Sequence, residues 1–287
     1  MKNAFLVSEF PPASADAAAF HVIPAPMEIS VSYGGGTAAG PAAILAASQQ
    51  LEVCDGEGHA SAADTHTQSP VAPRARKSPE AWVEAIETRV SRALAAGAVP
   101  VVLGGEHTVT LGAARAFHAA GRKVGFVHFD AHADLRDTYE GTPFSHASVM
   151  RRVHELGFPC LQLGTRAVSQ EERDYRAAHR KTITAYDARA IADGEMPERF
   201  VPRGFPEEVY VTFDVDGLDP SSMPATGTPV PGGLEWYDVI RMMREVAARR
   251  RIVGLDVVEL APLKGLHHAD FAAALMTQTL MGFARQA

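Results

Sequence analysis

Three short segments constrain this chain most: Gly104-Gly105-Glu106-His107, Asp130-Ala131-His132-Ala133-Asp134 and Asp214-Val215-Asp216. Each follows directly on an apolar run of strand length: Val99–Leu103, Val124–Phe129 and Glu208–Phe213. A fourth run, Ile252–Val258, delivers Glu259. Carboxylates and imidazoles at the carboxyl ends of several strands converge at one edge of a parallel sheet, where open α/β folds place their chemistry. Extended backbone alternates with period two, so Asp130, His132 and Asp134 are expected to project to one side. On a helix, neighbours two apart would point away from one another.

The set His107, Asp130, His132, Asp134, Asp214 and Asp216 holds more carboxylates than imidazoles and no cysteine. That donor mixture suits a five- or six-coordinate ion of intermediate hardness, such as Mn²⁺, better than a structural zinc. Carboxylates can bridge two ions, and paired ions activate water near neutral pH. A lone Asp-x-His is usually surface decoration, and a lone Asp-x-Asp is often a loop cap. Three such segments, each ending an apolar strand, point together to a metal site.

Apolar strands alternate with helical patterns along the chain. Strands are expected near 20–25, 99–103, 124–130, 159–163, 182–186, 208–214 and 252–258. Helices are expected at 41–49, 79–96, 107–120, 146–156, 169–179, 235–249 and 269–284. Such alternation implies parallel pairing with helical crossovers. Pro41 and Pro79 stand where a first helical turn tolerates a missing N–H, and Ser78 is placed to cap the second. The 287 residues suffice for one large α/β domain, expected to span 1–287, with 46% apolar content to fill its core. Residues 55–77, rich in small and polar side chains, are expected to be an irregular surface excursion. Its His59 and His66 are expected to be solvated. Residues 216–233, dense in glycine and proline from Thr226 to Gly233, are expected to form a wall of the site.

The formal net charge of −7 and the lack of a basic run argue against nucleic acid as a partner. Arg249-Arg250-Arg251 ends an expected helix, where cations complement the dipole. No segment approaches the ~20 apolar residues that cross a bilayer, so no membrane partner is expected. The start, Met1 to Val7 with Glu9 close behind, is too short an apolar stretch for a signal peptide. Cys54 and Cys160 are isolated, which fits a reducing cytoplasm; Cys160 is expected to be a buried small hydrophobe.

Taken together, these motifs resemble the ureohydrolases, the arginase and agmatinase family. The resemblance rests on Gly104–Thr108, Phe129–Asp137, Phe144–His146, Phe213–Pro220, Thr226–Leu234 and Gly254–Pro262, with Tyr33–Gly36 and Gly40-Pro41 earlier. It implies a three-layer arginase-like fold, with a mostly parallel central sheet flanked by helices. It also implies two Mn²⁺ per chain. His107, Asp130, Asp134 and Asp214 would bind one, and His132, Asp130, Asp214 and Asp216 the other, with Asp130 and Asp214 bridging. A homo-oligomer, trimer or hexamer, follows from the same analogy. Residues 135–145 lack the Ser-Gly-Asn stretch of arginases, and Phe144-Ser145-His146 is closer to the agmatinase branch. Ala147-Ser148 departs from that branch's usual Gly-Thr.

The catalytic residues expected are Asp134, His146 and Glu259. Glu259 adds negative charge that favours a guanidinium, and its carboxylate can accept that group's paired N–H bonds; an ion pair with Arg136 or Arg166 is its alternative. Asp134 would relay a proton to the leaving amine, as the resemblance implies, and His146 would exchange protons with bulk water. His128 shares strand parity with Asp130 and is placed to support it or simply to pack. Asp256 and Asp219 are expected to be structural, and His267 and His268 to lie at most on the rim. The small guanidino substrate preferred is agmatine, giving urea and putrescine, because residues 135–145 offer Asp137, Tyr139 and Glu140 to an amine. Arginine and 4-guanidinobutyrate are the alternatives, and Arg136 would favour their carboxylates if it pointed inward. Remoter alternatives are a two-metal phosphoesterase, disfavoured by the acidic surroundings, and a non-catalytic metal-binding member.

Overall fold

Runs that are apolar at nearly every position form strands covered on both faces. Val124–Phe129 shows this directly, being buried at all 6 positions. The computed structural model describes residues 4–8, 10–54, 57 and 60–286. Met1–Asn3, Glu9 and His59 lie outside them. The strands are β1 (Phe20–Ala25), β2 (Thr65–Thr67), β3 (Val99–Gly104), β4 (Val124–Phe129), β5 (Cys160–Leu163), β6 (Ile183–Tyr186), β7 (Glu208–Asp214) and β8 (Arg251–Val258). They form one 8-stranded sheet in the order β2-β1-β3-β8-β7-β4-β5-β6. Every paired neighbour in it is parallel.

Helices cover both faces. They are α1 (Gly40–Ala47), α2 (Pro79–Ala95), α3 (Val109–Ala119), α4 (Val149–Glu155), α5 (Gln170–Ala178), α6 (Ala188–Ala192), α7 (Trp236–Ala247) and α8 (His267–Gln286). Strand alternation splits the core in two. Val101, Leu103, Val211 and Phe213 pack with Ile44, Met243 and Leu280 on one face. Val102, Phe126 and Tyr210 pack with Val83, Ile86 and Phe117 on the other. Fully burying each such side chain stabilises by about 1.5–3 kcal/mol before entropy is counted. The result is three layers, helix on sheet on helix.

Local chemistry sets the ends. The Ser78 hydroxyl accepts the Ala81 N–H at 3.2 Å, with Pro79 opening α2. Ser169 and Glu172 cap α5 reciprocally. The expectation for residues 55–77 needs correction. Thr65–Thr67 is a strand at the sheet edge, in register with Phe20–Val22, and His66 meets the ring of His21 at 5.2 Å. A run of 3 residues is too short for periodicity to reveal, as is the 5-residue α6. Among the described residues no helix is long and apolar enough to cross a membrane.

Candidate metal centre

The four strands that end in site residues, β3, β8, β7 and β4, are the four central ones. Their carboxyl ends therefore meet without any further device. At the end of β3 the backbone passes very close to the loop after β1. A Cβ on Gly105 would lie 1.9 Å from the Met27 carbonyl oxygen, so only glycine fits. The Gly105 and Glu106 N–H groups bond the Ala25 and Met27 carbonyls. That approach presents His107, which is 1% exposed, to the sheet edge.

The His107 ring has one satisfied nitrogen. Nε2 lies 2.8 Å from the Thr212 hydroxyl, which itself donates to Asp256 at 2.7 Å. Nε2 therefore carries the proton, and Nδ1 is left with a lone pair. Nδ1 lies 3.0, 3.1 and 3.3 Å from carboxylate oxygens of Asp130, Asp134 and Asp214. It is buried and aligned with none of them as a hydrogen bond. Burial pulls the His107 pKa down, but the Asp130, Asp134 and Asp214 carboxylates outweigh it and hold it well above the ordinary value, so without an ion a proton is drawn to this nitrogen, and a bound cation would take that proton's place. The donor set thus fits a divalent ion.

A second group shares one carboxylate with the first. His132 Nδ1 lies 3.0 Å from Asp216 and 3.4 Å from Asp130. His107, Asp130 and Asp134 gather in one cluster of potential ligands; Asp130, His132 and Asp216 form the other. His128 also falls in the first, but both its nitrogens are engaged. Gln162 donates to Nδ1 at 2.9 Å, so Nε2–H donates to Asp130 at 2.7 Å. His128 supports Asp130 from below. It is one member of a buried polar rung in register across the sheet, formed by Gln162, His128, Thr212 and Asp256.

Strand alternation does not account for the middle segment. β4 stops at Phe129, and Asp134 has φ 53°, in the left-handed region. The chain has left the strand by Asp130, with His132 bridged to Ala167. Asp130, His132 and Asp134 meet by a turn, closed when Asp130 accepts the His132 N–H at 2.5 Å. Likewise Asp214 ends β7 and Asp216 stands in the 3-10 turn Val215–Gly217, its N–H held by Asp214 at 2.8 Å. Arg166 fastens this turn by donating to the carbonyls of Asp216 (2.7 Å) and Val230 (2.8 Å). It makes no ion pair with Glu259.

Glu259 follows β8 at φ 63° and is 8% exposed. Its Oε1 accepts the main-chain N–H of His107 at 2.6 Å. Among the described residues no group bonds Oε2. Glu259 lines a cleft with His107, His132, Asp134, His146 and the loop residues Tyr33 and Thr228. A cavity of about 360 Å³ opens beside it, bounded by Arg136, Tyr139, His146 and Val168. Gly227 and Thr228 supply the expected wall. The residues offered for the far end of a substrate behave differently from one another. The local reason for an amine does not hold: Asp137 is taken by Arg152 at 2.6 Å and Glu140 lies outside the cavity lining, whereas Arg136 lines the cavity, stacked on Tyr139 at 5.5 Å.

The protein's own charges set the electrostatics. Burial pushes Asp134 up to about 7, with the Asp130 charge adding to it. Burial, then the neighbouring Asp216 and Asp130, raise Asp214 well above the carboxylate range. Burial likewise raises Glu259. For His132, burial pulls the pKa down, but hydrogen bonding to Asp130 and Asp216 outweighs it and carries the pKa to about 12. Crowded buried carboxylates with raised proton affinity mark a place built for positive charge.

Asp219 accepts N–H bonds from Ser221, Gly232 and Gly233, as a turn residue. Asp256 is structural in the polar rung. His267 and His268 are exposed and line neither cavity. Arg249 and Arg251 pair with Glu245 and Glu208. Cys160 is buried and Cys54 exposed, with no disulfide. Sequence reasoning missed Glu106, Ser30, Thr212 and Gln162. Thr212 and Gln162 were legible through parity and register, since both sit level with His128. Ser30, on an irregular loop, left no such signal.

A parallel α/β sheet with an Asp/His cluster at its carboxyl edge that could hold metal is the arrangement of a hydrolase of the α/β class. The model of the Arginase family matches residues 18–282, and the chain belongs to that family. It is a ureohydrolase, an enzyme of guanidino hydrolysis. It is 38% identical to an N(1)-aminopropylagmatine ureohydrolase of Synechocystis sp., over 97% of this chain and 93% of that protein. It is 30% identical to an agmatinase of Bacillus subtilis, over 91% and 90%. The crystal structure of the agmatine ureohydrolase of Thermoplasma volcanium superposes with a TM-score of 0.81 at 28% identity, covering 95% of this chain and 92% of that one.

Proposed function

We propose that the chain, acting as a single domain over residues 1–287, is a di-manganese ureohydrolase that cleaves an amine-ended guanidino compound, agmatine foremost, to urea and the amine. The observation that carries this reading is His107 Nδ1 facing three buried carboxylate oxygens at 3.0–3.3 Å beside the open Glu259 carboxylate. His107, Asp130, Asp134 and Asp214 would hold one Mn²⁺. His132, Asp130, Asp214 and Asp216 would hold the other. When bound, the pair supplies an activated water at neutral pH.

Glu259 orients the guanidinium through Oε2, because Oε1 is already engaged by His107. Asp134, buried beside the place of the nucleophile, relays a proton to the leaving amine. His146, partly exposed at the cavity, exchanges that proton with bulk water. The acidic walls disfavour an anionic phosphoester substrate. The enzyme works as a cytoplasmic homo-oligomer, trimer or hexamer, by family analogy.

A second substrate reading has specific support. The Synechocystis relative at 38% identity is named for N(1)-aminopropylagmatine, as is a Thermus thermophilus one at 36% over 91% of this chain. The cavity beside the cluster has room for an added aminopropyl arm. Urea release from agmatine, N(1)-aminopropylagmatine, arginine and 4-guanidinobutyrate, compared by kcat/KM after Mn²⁺ loading, decides between them. A carboxylate-ended compound preferred tenfold, about 1.4 kcal/mol, would overturn the amine-selective reading.

A further inference from the structure

We propose that Ser30, oriented by Glu106, fixes the ring tautomer of His146 and is the positioning residue for its proton transfer. The inference rests on the role given to His146 above. It starts from a carboxylate that the metal cluster does not use. Glu106 is 0% exposed, and four donors converge on it. They are the Ile29 N–H (2.5 Å), the Ser30 N–H (2.7 Å), the Ser30 hydroxyl (2.8 Å) and the Thr108 hydroxyl (2.7 Å).

A serine hydroxyl has one proton, and Ser30 spends it on Glu106. Its lone pairs then face His146. They accept the main-chain N–H of His146 at 3.1 Å and meet ring Nδ1 at 3.2 Å. Two groups without a proton between them repel, so Nδ1 must bring one. Ser145 Oγ, 3.5 Å from the same nitrogen, stands at the outer limit of a hydrogen bond. Nε2 is left with the lone pair, and among the described residues no group bonds it. The Tyr139 ring packs edge-on against the imidazole at 5.6 Å and 76°, holding its plane.

This arrangement has a chemical purpose. A neutral imidazole accepts a proton only through the nitrogen without one, so a fixed tautomer presents the same basic atom in every cycle. Glu106 immediately precedes His107, so the loop that carries the histidine of the cluster also sets the proton carrier. Without the Ser30 oxygen the ring gains a choice of tautomer and orientation. Binding of the guanidinium, which Glu259 governs, is untouched.

Imidazole ¹⁵N NMR tests this on protein loaded with diamagnetic Zn²⁺, with His146→Asn used to assign the ring. The wild type should show the Nδ1–H form, Ser30→Ala should lose it, and Ser30→Thr, which keeps the hydroxyl, should retain it. With Mn²⁺ loaded, kcat of Ser30→Ala should fall about tenfold with KM within about twofold. An Nε2–H ring in the wild type, or an unchanged tautomer in folded Ser30→Ala, overturns the proposal. A changed tautomer with unchanged kcat supports the fixation and overturns the role of His146 instead.

Discussion

The main-chain N–H of His107 donates a 2.6 Å hydrogen bond to Oε1 of Glu259, joining the loop after β3 to the residue after β8. One carboxylate therefore serves two duties: it holds the loop that carries His107, and it faces the cleft. The two can be separated. In Glu259→Gln the amide oxygen still accepts the N–H, but the charge toward a guanidinium is lost. We expect bound manganese to be unchanged and kcat/KM to drop about 100-fold, roughly 2.7 kcal/mol. Glu259→Ala should lose metal as well. Elemental analysis beside steady-state kinetics checks this, and equal metal loss in both variants would contradict the division.

His128 reaches Asp130 at 2.7 Å and is itself held by Gln162 at 2.9 Å. Removing it takes the support from Asp130 Oδ2, while Oδ1 still accepts the His132 N–H. His128→Ala should weaken manganese affinity about 10- to 100-fold while the protein stays folded. Chelator competition measures it. An unchanged affinity would reduce His128 to core packing.

Gly105→Ala should be costly because the new Cβ meets main chain, the Met27 carbonyl at 1.9 Å, which cannot swing aside. A loss of about 2–4 kcal/mol is expected from denaturant melts. Gly204, where a Cβ meets nothing within 4 Å, is the control and should shift by no more than about 0.5 kcal/mol on substitution by alanine.

Asp219 binds the wall loop through the N–H groups of Ser221, Gly233 and Gly232, which hold its carboxyl down at about 2. A depressed folded pKa stabilises above the ordinary value of 3.8 and loses that contribution as pH falls through about 2. The stability gap between wild type and Asp219→Asn should be full at neutral pH and narrow below about pH 4. Urea melts across that range test the sign; a gap that widens on acidification would contradict it.

Much of this was legible in the chain because parallel strands buried on both faces leave unmistakable apolar runs. Those runs placed β3, β4, β7 and β8, and with them every member of the cluster. Strand alternation put His128 beside Asp130, and the two do bond, although Asp130 has already left the strand. It failed for Asp134, whose left-handed backbone is set by tertiary contacts that local periodicity does not record. β2 escaped because its 3 residues pair only through β1. Ser30 escaped because its importance lies in Glu106, 76 residues away. The wall at Gly227 and Thr228 was visible from its glycines and prolines, whereas the Arg136–Tyr139 stack depends on side-chain directions that no local pattern records.

This Asp/His cluster is expected to hydrolyse guanidino groups, and urea release measures that directly. Protein loaded with two Mn²⁺ per chain should release urea and putrescine from agmatine in equal amounts. Asp130→Asn and Asp214→Asn should lower both metal content and rate, and His107→Ala should cost one ion. A protein that holds two Mn²⁺ yet releases no urea from agmatine, N(1)-aminopropylagmatine, arginine or 4-guanidinobutyrate would contradict the account.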